Sequence, residues 1–232
     1  TAITAGDAST YTEDVATVEE ENTFAEVVLS GVEVAKLIRV TFKLEAMSIQ
    51  AFKDYLVREL SARIGALLGR MTFTGRGLAQ NEFEGIVPTL VTAQQNVAYA
   101  TGGQISYDNM AEAMGKLASQ FASGASIYVN NATLWNQLAK IKDANGNPIF
   151  IASPVNGGVG QIFGVTVKVD GGAPDGTVLI ANMGEAYAVN TNKGLEVESQ
   201  RDLPNRTTNF LGYGVMDGKV VNEFAGVVVA PQ

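Results

Sequence analysis

The most restrictive feature of this sequence is a long acidic segment that precedes the first helical pattern. Residues 1–34 carry eight acidic side chains and no Lys or Arg, whereas residues 35–76 carry eight bases against three acids. Oppositely charged blocks that follow one another are expected to pair, either within one chain or between chains. A solvated acidic loop is the alternative, because charged side chains usually face water.

A strand pattern overlaps the end of this acidic segment. From Val32 to Glu45, polar and apolar residues alternate with one interruption at Lys36, which predicts a β-strand with one buried face. That face consists of Val32, Val34, Ile38, Val40, Phe42 and Leu44. Residues 24–29 and 11–18 indicate two further strands. Ser30-Gly31 is the expected break between the strand at 24–29 and the one that starts at Val32. An isolated two-stranded ribbon is marginal in water, so it must rest on its own domain or on a neighbouring copy.

A long helix is predicted next, with Ser48 as its N-cap and its end near Phe73. Apolar residues recur at intervals of three and four and form one stripe: Ile49, Phe52, Leu56, Leu60, Ile64, Leu67 and Met71. Gly75 and Gly77 are expected to end the helix. Gly65 and Gly69 each cost ~1 kcal/mol relative to Ala inside a helix, which indicates that another part of the structure packs closely there.

Shorter elements follow in the rest of the chain. Helices are predicted over residues 107–121 and 132–141. Strands are predicted at 126–130, 165–169, 178–181, 186–189, 195–198 and 219–230. Helices mixed with mostly antiparallel strands indicate an α+β fold.

Composition excludes several kinds of chemistry. The chain has no Cys and no His, which rules out disulfides, thiolate zinc sites, cysteine nucleophiles and histidine-based triads. No run of ~18 apolar residues occurs, so no membrane span is predicted. A pair of carboxylates acting as a hydrolase site stays open, since any two acids could meet in space.

Three local motifs favour structural roles over ligand binding. "DANGNP" begins like a calcium loop, but Pro148 and Pro154 stand where that loop needs Gly and Glu, so we interpret it as a tight turn. The glycine-rich stretches at 75–77 and 156–164 lack a Gly-Lys-Ser/Thr ending and indicate bends rather than phosphate binding. The acids at 19–21 alternate sides on an extended chain and cannot all face one ion. We therefore predict no catalytic residue, no cofactor and no metal site.

The order of these segments resembles the major capsid proteins of tailed bacteriophages, which have the Hong Kong 97-type capsid fold. The stretch "TYTEDVATVEEENTFAEVVLSGVEVAKLIRVTFKL" resembles the family's extended loop, and the helix from Ser48 resembles its spine helix. "FTGRGLAQNEFEGIVP" is a looser version of the segment that leaves that helix. The most specific stretch is "LWNQLAKIKDANGNPIF", with the family's usual spacing at Trp135, Leu138, Lys142, Asp143, Gly146, Pro148, Ile149 and Phe150. "GQIFGVTVKVD" and "DGKVVNEFAGVVVAP" continue the likeness.

The resemblance implies an α+β chain with an extended β-ribbon loop, a long spine helix, a peripheral domain and an axial domain. The expected parts are a remnant of an N-terminal arm at 1–10, the extended loop at 11–44, the peripheral domain at 45–103 and 217–232, and the axial domain at 104–216. The axial domain would meet its copies at the centres of pentamers and hexamers. The extended loop would lie across the peripheral domain of a neighbouring copy.

Charge and resemblance together predict which residues form that contact. On the acidic arm they are Glu13, Asp14, Glu19, Glu20, Glu21 and Glu26; on the spine helix they are Lys53, Arg58, Arg63 and Arg70. Exposed ion pairs contribute only ~0–1 kcal/mol each, so apolar burial under the arm must supply most of the affinity.

The implied function is structural. The chain is expected to be a capsid subunit that assembles with copies of itself into an icosahedral shell, with no enzymatic activity, no cofactor and no membrane partner. Packaged double-stranded DNA, bound without sequence preference, and scaffold, protease and portal proteins are the other partners that the family implies. The expected locations are the virion or a prophage-derived particle and, during assembly, the cytoplasm of the bacterial host.

Three alternatives remain beside this interpretation: an encapsulin-like nanocompartment, a hydrolase that uses carboxylates, and a tail or adhesion module. Two features depart from the family's pattern. Only residues 1–10 precede the extended loop, which fits a truncated chain or a processed subunit. Residues 1–35 contain no Lys, so we expect no isopeptide cross-link from this arm.

Overall fold

The computed structural model describes residues 29–47, 50–143, 145–150 and 159–232, with the backbone alone for residues 50, 51 and 53. The helices are α1 Phe42–Met47, α2 Gln50–Thr74, α3 Ile86–Thr92, α4 Tyr107–Lys116, α5 Ser119–Ala122, α6 Asn131–Asn136 and α7 Met183–Ala186. The strands are β1 Val32–Thr41, β2 Asn96–Tyr99, β3 Ser126–Val129, β4 Gly160–Ile162, β5 Val165–Val169, β6 Val178–Ala181, β7 Tyr187–Asp202, β8 Thr207–Val220 and β9 Gly226–Pro231. Single 3₁₀ turns lie at Leu78–Gln80, Leu138–Lys140 and Glu223–Ala225.

The strands form two sheets. One has three antiparallel strands in the order β1-β8-β7. The other has six strands in the order β2-β9-β6-β3-β5-β4, with β2 parallel to β9 and β3 parallel to β5. The predicted mixture of helices and sheets is therefore confirmed at this coarse level.

The six-stranded sheet is buried on both faces. All four residues of β6 are buried, as are the first four of β9. Such unbroken apolar strands are typical of sheets that are covered on both sides. One face packs on Met110 of α4 and Leu134 of α6, and the other packs on Ile86 and Leu90 of α3.

The three-stranded sheet is covered by α2 on one face. Val32 and Val34 of β1 pack against Ile64 and Met71 of α2. Near the C-terminal end of β1, a second buried cluster consists of Val40, Leu56, Leu60 and Phe210. These contacts confirm the predicted buried face of β1 at Val32, Val34 and Val40, but not at Leu44, which is exposed. They also confirm the apolar stripe of α2 from Leu56 to Met71, whereas Ile49 lies outside the described residues.

Glycines explain how closely these elements approach. A Cβ at Gly212 of β8 would lie 3.2 Å from Ile64 Cδ1, so this strand position lets α2 rest directly on the sheet. At the end of α2, a Cβ on Gly75 would lie 2.5 Å from the Met71 carbonyl oxygen, which supports the predicted helix end. The close packing predicted at Gly69 is confirmed, since a Cβ on Gly172 would come within 2.6 Å of the Gly69 carbonyl carbon. At Gly65 no other part of the described chain comes within 4 Å of an added Cβ.

The predicted strand from Val32 to Glu45 is wrong in its last part, because β1 ends at Thr41 and α1 follows. The Thr41 hydroxyl accepts a hydrogen bond from the Leu44 amide at 3.3 Å, as an N-cap side chain does. The Phe42 amide donates to the Arg206 carbonyl at 2.9 Å. Leu44, Glu45 and the residues that follow them favour helix, so the cap and propensity together override the alternating pattern.

Other element boundaries also need correction. The helix predicted over 107–121 breaks at Leu117, which is extended and buried, so that α4 and α5 are separate. The helix predicted over 132–141 is the short α6 followed by a 3₁₀ turn. The strands predicted at 186–189 and 195–198 form one strand, β7, whose bulges absorb the polar residues between them. The strand predicted at 219–230 is the end of β8 and, after a turn, β9.

Several predictions fall outside the described residues. These are the strand at 11–18, nearly all of the strand at 24–29, and the N-cap at Ser48. The domain boundaries stay a prediction, and they do not coincide with the sheets. Strands β2 and β9, assigned to the peripheral domain, lie in one sheet with β3 to β6, assigned to the axial domain.

Candidate subunit interface

The face of the three-stranded sheet that points away from α2 is open. Along β1, every second side chain faces this side, and Leu37 at its centre is 54% exposed. Opposite it on β8, Leu211 pairs with Leu37, and Tyr213 pairs with Ala35. The result is an apolar strip along the middle of the sheet, which no described residue covers beyond its own strands.

Charged side chains on this open face are mostly acidic. The acids are Glu33, Glu196, Glu198 and Asp202, and the bases are Arg39 and Lys193. Both bases have partners: Arg39 Nε donates to Asn209 Oδ1 at 3.2 Å, and Lys193 Nζ lies 3.1 Å from Glu196 Oε2. Hydrogen bonds from Lys193 to the Tyr213 hydroxyl and to Glu196 raise the pKa of the lysine. A negatively charged segment would meet repulsion here.

The solvent-facing side of α2 has a different character. At about 100° per residue, Arg63 and Arg70 fall on one flank about 20° apart, and Arg58 falls nearly opposite the buried stripe. The arginines predicted as contacts therefore lie on two surfaces of the helix, and all three are exposed. In the part of the chain that the structure describes, neither Arg58 nor Arg70 forms an ion pair.

Arg63 is already paired within the helix. Its Nε lies 2.7 Å from Glu59 Oε1, one turn away. This hydrogen bond and the guanidinium charge lower the pKa of Glu59, with a smaller contribution from Lys36. Sequence reasoning overlooked this pair, although the i, i+4 spacing of Glu59 and Arg63 is the usual signal for one.

Small residues line the outward side of α2 beside Arg58. Ala62, Gly65 and Ala66 are all exposed and lie on this side. An extended chain could approach the helix backbone closely at these positions, since no long side chain stands in the way. Arg58 lies at one end of this smooth surface.

The loop after α2 is held by its own contacts. The Arg76 guanidinium donates two hydrogen bonds to the Glu82 carboxylate, from Nε to Oε2 and from Nη2 to Oε1, each with a donor–acceptor distance of 3.1 Å. A Cβ on Gly85 would lie 2.5 Å from the Gly75 nitrogen, so the two glycines permit a close backbone crossing. The interpretation of residues 75–77 as a bend is thus confirmed.

The "DANGNP" turn is likewise held from within. Asp143 Oδ1 accepts hydrogen bonds from the amides of Asn145 and Asn147 at 2.9 and 2.8 Å. The Asn147 amide is the largest of the contributions that lower the pKa of Asp143. The interpretation as a tight turn is therefore confirmed.

A metal-binding cluster and a membrane-spanning helix are both absent from the described residues. No group of three or more acidic side chains is close enough to hold a metal ion within the described ranges. No helix in that part of the chain is long and apolar enough to cross a membrane.

The predicted acidic contacts lie outside the described residues. This applies to Glu13, Asp14, Glu19, Glu20, Glu21 and Glu26, and also to the side chain of Lys53. Their contact with a neighbouring copy stays a prediction. The structure describes two exposed surfaces that such a segment could contact. They are the mostly acidic open face of the three-stranded sheet and the solvent-facing side of α2, which carries arginines.

Comparison with known proteins supplies the identity of the fold. The sequence model described as "Phage capsid family" matches residues 1–230. No curated protein matches the sequence well enough to count as a relative.

Among solved structures, a capsid of a native GTA particle, computed with C5 symmetry, has a TM-score of 0.75 at 16% identity over 96% of this chain and 80% of that one. Microbacterium phage Oxtober96 has a TM-score of 0.74 at 15% identity over 99% and 83%. The holo-SrpI encapsulin complex from Synechococcus elongatus PCC 7942 has a TM-score of 0.64 at 12% identity over 88% and 74%. At these identities the likeness shows the fold alone.

Proposed function

Because the chain belongs to the phage capsid family, it is a structural capsid protein and not an enzyme, and we propose that its acidic N-terminal segment joins neighbouring copies by lying on the outward side of α2. The observation that carries the functional conclusion is the family match, which spans residues 1–230. Self-association follows from this family, and the earlier alternatives of a hydrolase and a tail module are set aside.

Charge favours α2 over the open sheet face as the receiving surface. Seven acids and no base precede Ser30, and the open face of the sheet is itself acidic. On α2, by contrast, Arg58 and Arg70 are exposed and have no ion-pair partner among the described residues. Complementary charge raises the rate of association and fixes the register of two surfaces more than it adds affinity.

The small residues on α2 support the same surface. Gly65 stands in the middle of α2, on its exposed side, and glycine inside a helix costs ~1 kcal/mol relative to Ala. No contact within the described chain offsets this cost, since no atom lies within 4 Å of an added Cβ. A backbone from a neighbouring copy that passes close to Gly65 would supply the missing reason for the glycine.

A charge exchange tests this contact. We expect Glu19→Lys, Glu20→Lys and Glu21→Lys together, or Arg58→Glu, Arg63→Glu and Arg70→Glu together, to impair assembly. Three weakened exposed pairs at ~0–1 kcal/mol each would raise the critical concentration by up to roughly a hundredfold. The six substitutions combined should restore assembly, as measured by sedimentation and negative-stain microscopy.

A matched control reverses three bases elsewhere: Lys140→Glu, Lys142→Glu and Lys168→Glu. This variant changes the net charge by the same amount and should assemble when combined with the unaltered arm. Normal assembly of either interface variant, or failure of the combined variant to recover, would contradict docking on α2.

We further propose double-stranded DNA as the cargo, as the phage capsid family implies. An encapsulin-like shell with a protein cargo is the second candidate, supported by the shared fold at a TM-score of 0.64. The absorbance of purified particles separates the two. An excess at 260 nm that nuclease treatment of opened particles removes supports DNA, and particles free of nucleic acid that contain an enzyme contradict it.

A further inference from the structure

The entry of the chain into β1 is held by a buried carboxylate. Asp217 of β8 is 9% exposed, and no other acidic side chain is buried in the described part of the protein. Its Oδ2 accepts hydrogen bonds from the amides of Ser30 at 2.8 Å and Gly31 at 3.3 Å. Its Oδ1 accepts one from the amide of Gly218 at 2.7 Å.

These contacts stop the β1–β8 ladder at a defined point. The last backbone pair joins Val32 to Met216, so the next position on β1 would be Gly31, opposite Asp217. There the side chain of Asp217 receives the amides in place of a backbone carbonyl. The carboxylate therefore ends the regular pairing and turns the chain away from the strand direction.

Gly31 itself can adopt the required bend because it lacks a side chain. Its φ is +86°, a conformation that L-residues rarely adopt, and a Cβ there would lie 2.9 Å from Val215 Cγ1. Both halves of the arrangement therefore act on the same peptide: glycine permits the bend, and Asp217 holds it.

The segment that leaves at this point is the acidic one. We propose that Asp217 and Gly31 fix the direction of the chain at Ser30, where the acidic segment joins the sheet, which makes Asp217 a positioning residue for assembly. This inference rests on the proposed docking of the acidic segment. A fixed departure lowers the entropy that the segment loses when it binds a neighbouring copy, as pre-organisation does in general.

The test measures the path before assembly takes place. The chain has no native Cys, so Ser30→Cys and Ser199→Cys, both at described and exposed positions, can carry a pair of spin labels in dilute, unassembled subunits. We expect one narrow distance distribution. Asp217→Asn keeps the shape of the side chain but turns an NH₂ group towards one set of amide donors. We expect this variant to at least double the width of the distance distribution. It should also raise the critical concentration for assembly about tenfold, which corresponds to about 1.4 kcal/mol.

Gly31→Ala provides a second variant that leaves Asp217 intact. Its matched control is Gly146→Ala, because Gly146 has a similar φ of +83° and open space around an added Cβ. Thermal unfolding is recorded for every variant. The control introduces the same backbone strain without the clash, so it should lose less stability than Gly31→Ala and should change neither the label distance nor assembly.

The outcomes separate this inference from the docking proposal. An unchanged distance distribution in Asp217→Asn and Gly31→Ala overturns the inference, whatever happens to assembly. A broadened distribution with normal assembly also overturns it, because the path would then serve no purpose in assembly. The charge exchange on α2 judges the docking proposal independently of both.

Discussion

The two sheets of this protein differ in how much of their own apolar surface they cover. The six-stranded sheet has helices on both faces, and its central strand β6 is buried throughout. The three-stranded sheet has α2 on one face, and no described residue covers Leu37 and its neighbours on the other face. Among the described residues, one sheet is therefore covered by helices on both faces and the other on one face alone.

This difference indicates where assembly can act. Burial of apolar area stabilises contact by about 25 cal/mol per Å². In the part of the chain that the structure describes, the three-stranded region is the one with a sheet face and a long helix side left to bury. The three arginines predicted as contacts, Arg58, Arg63 and Arg70, also belong to this region. We therefore expect substitutions in the first region to affect subunit stability and substitutions on the open surfaces of the second to affect association.

The largest expected effect compares two truncations to alanine. Ile180→Ala, at a position with no exposure, should lower the free energy of unfolding by about 2–5 kcal/mol. Leu37→Ala removes a similar side chain that is 54% exposed, and should change it by no more than about 0.5 kcal/mol. Urea unfolding of dilute subunits measures both, and equal losses would contradict the division into complete and incomplete regions.

A smaller effect is expected where α2 meets the three-stranded sheet. Gly212→Ala places a Cβ 3.2 Å from Ile64 Cδ1 and 3.6 Å from Leu60 Cβ, and such overpacking costs about 1–3 kcal/mol. Gly194→Ala on the same sheet is the control, because its Cβ meets no atom within 4 Å. If both variants unfold at the same urea concentration, α2 does not rest on the sheet as tightly as the structure indicates.

Sequence patterns predicted the half-buried strand β1 and the long helix α2 well. They missed most of β8, the strand that pairs with β1 and packs against α2. β1 and α2 each bury one side, so their periods of two and 3.6 residues are visible in the sequence. β8 contains Gly212, Gly214 and Gly218, which resemble breaks. The reason for a glycine such as Gly212 lies in the approach of α2, which no local pattern records.

The candidate interface was predictable in its charge and not in its geometry. The segregation of acids and bases is a property of the sequence alone. The separation of Arg58 from Arg63 and Arg70 follows once α2 is known to be one unbroken helix. The role of Asp217 could not be foreseen, because its partners Ser30 and Gly31 are 187 and 186 residues away.

The smallest expected effect concerns two exposed carboxylates, one in each region. Both have a lowered pKa: Glu59 of α2 through the hydrogen bond and charge of Arg63, and Asp143 mainly through the backbone amide of Asn147. Since folding favours the ionised form of each, its stabilising contribution is present above the ordinary pKa and is lost as the pH falls through the lowered one.

Salt should separate the two carboxylates. At 1 M salt the screening length falls to about 3 Å, which weakens the Glu59–Arg63 pair more than hydrogen bonds from a fixed backbone turn. We expect NMR titration in salt to move the pKa of Glu59 back towards 4.5, its ordinary value, and to leave that of Asp143 nearly unchanged. Arg63→Gln should reproduce the salt effect on Glu59 alone. Equal shifts of both groups would mean that the turn at Asp143 is held no more firmly than a surface ion pair, and that the contrast between the two regions does not extend to their surfaces.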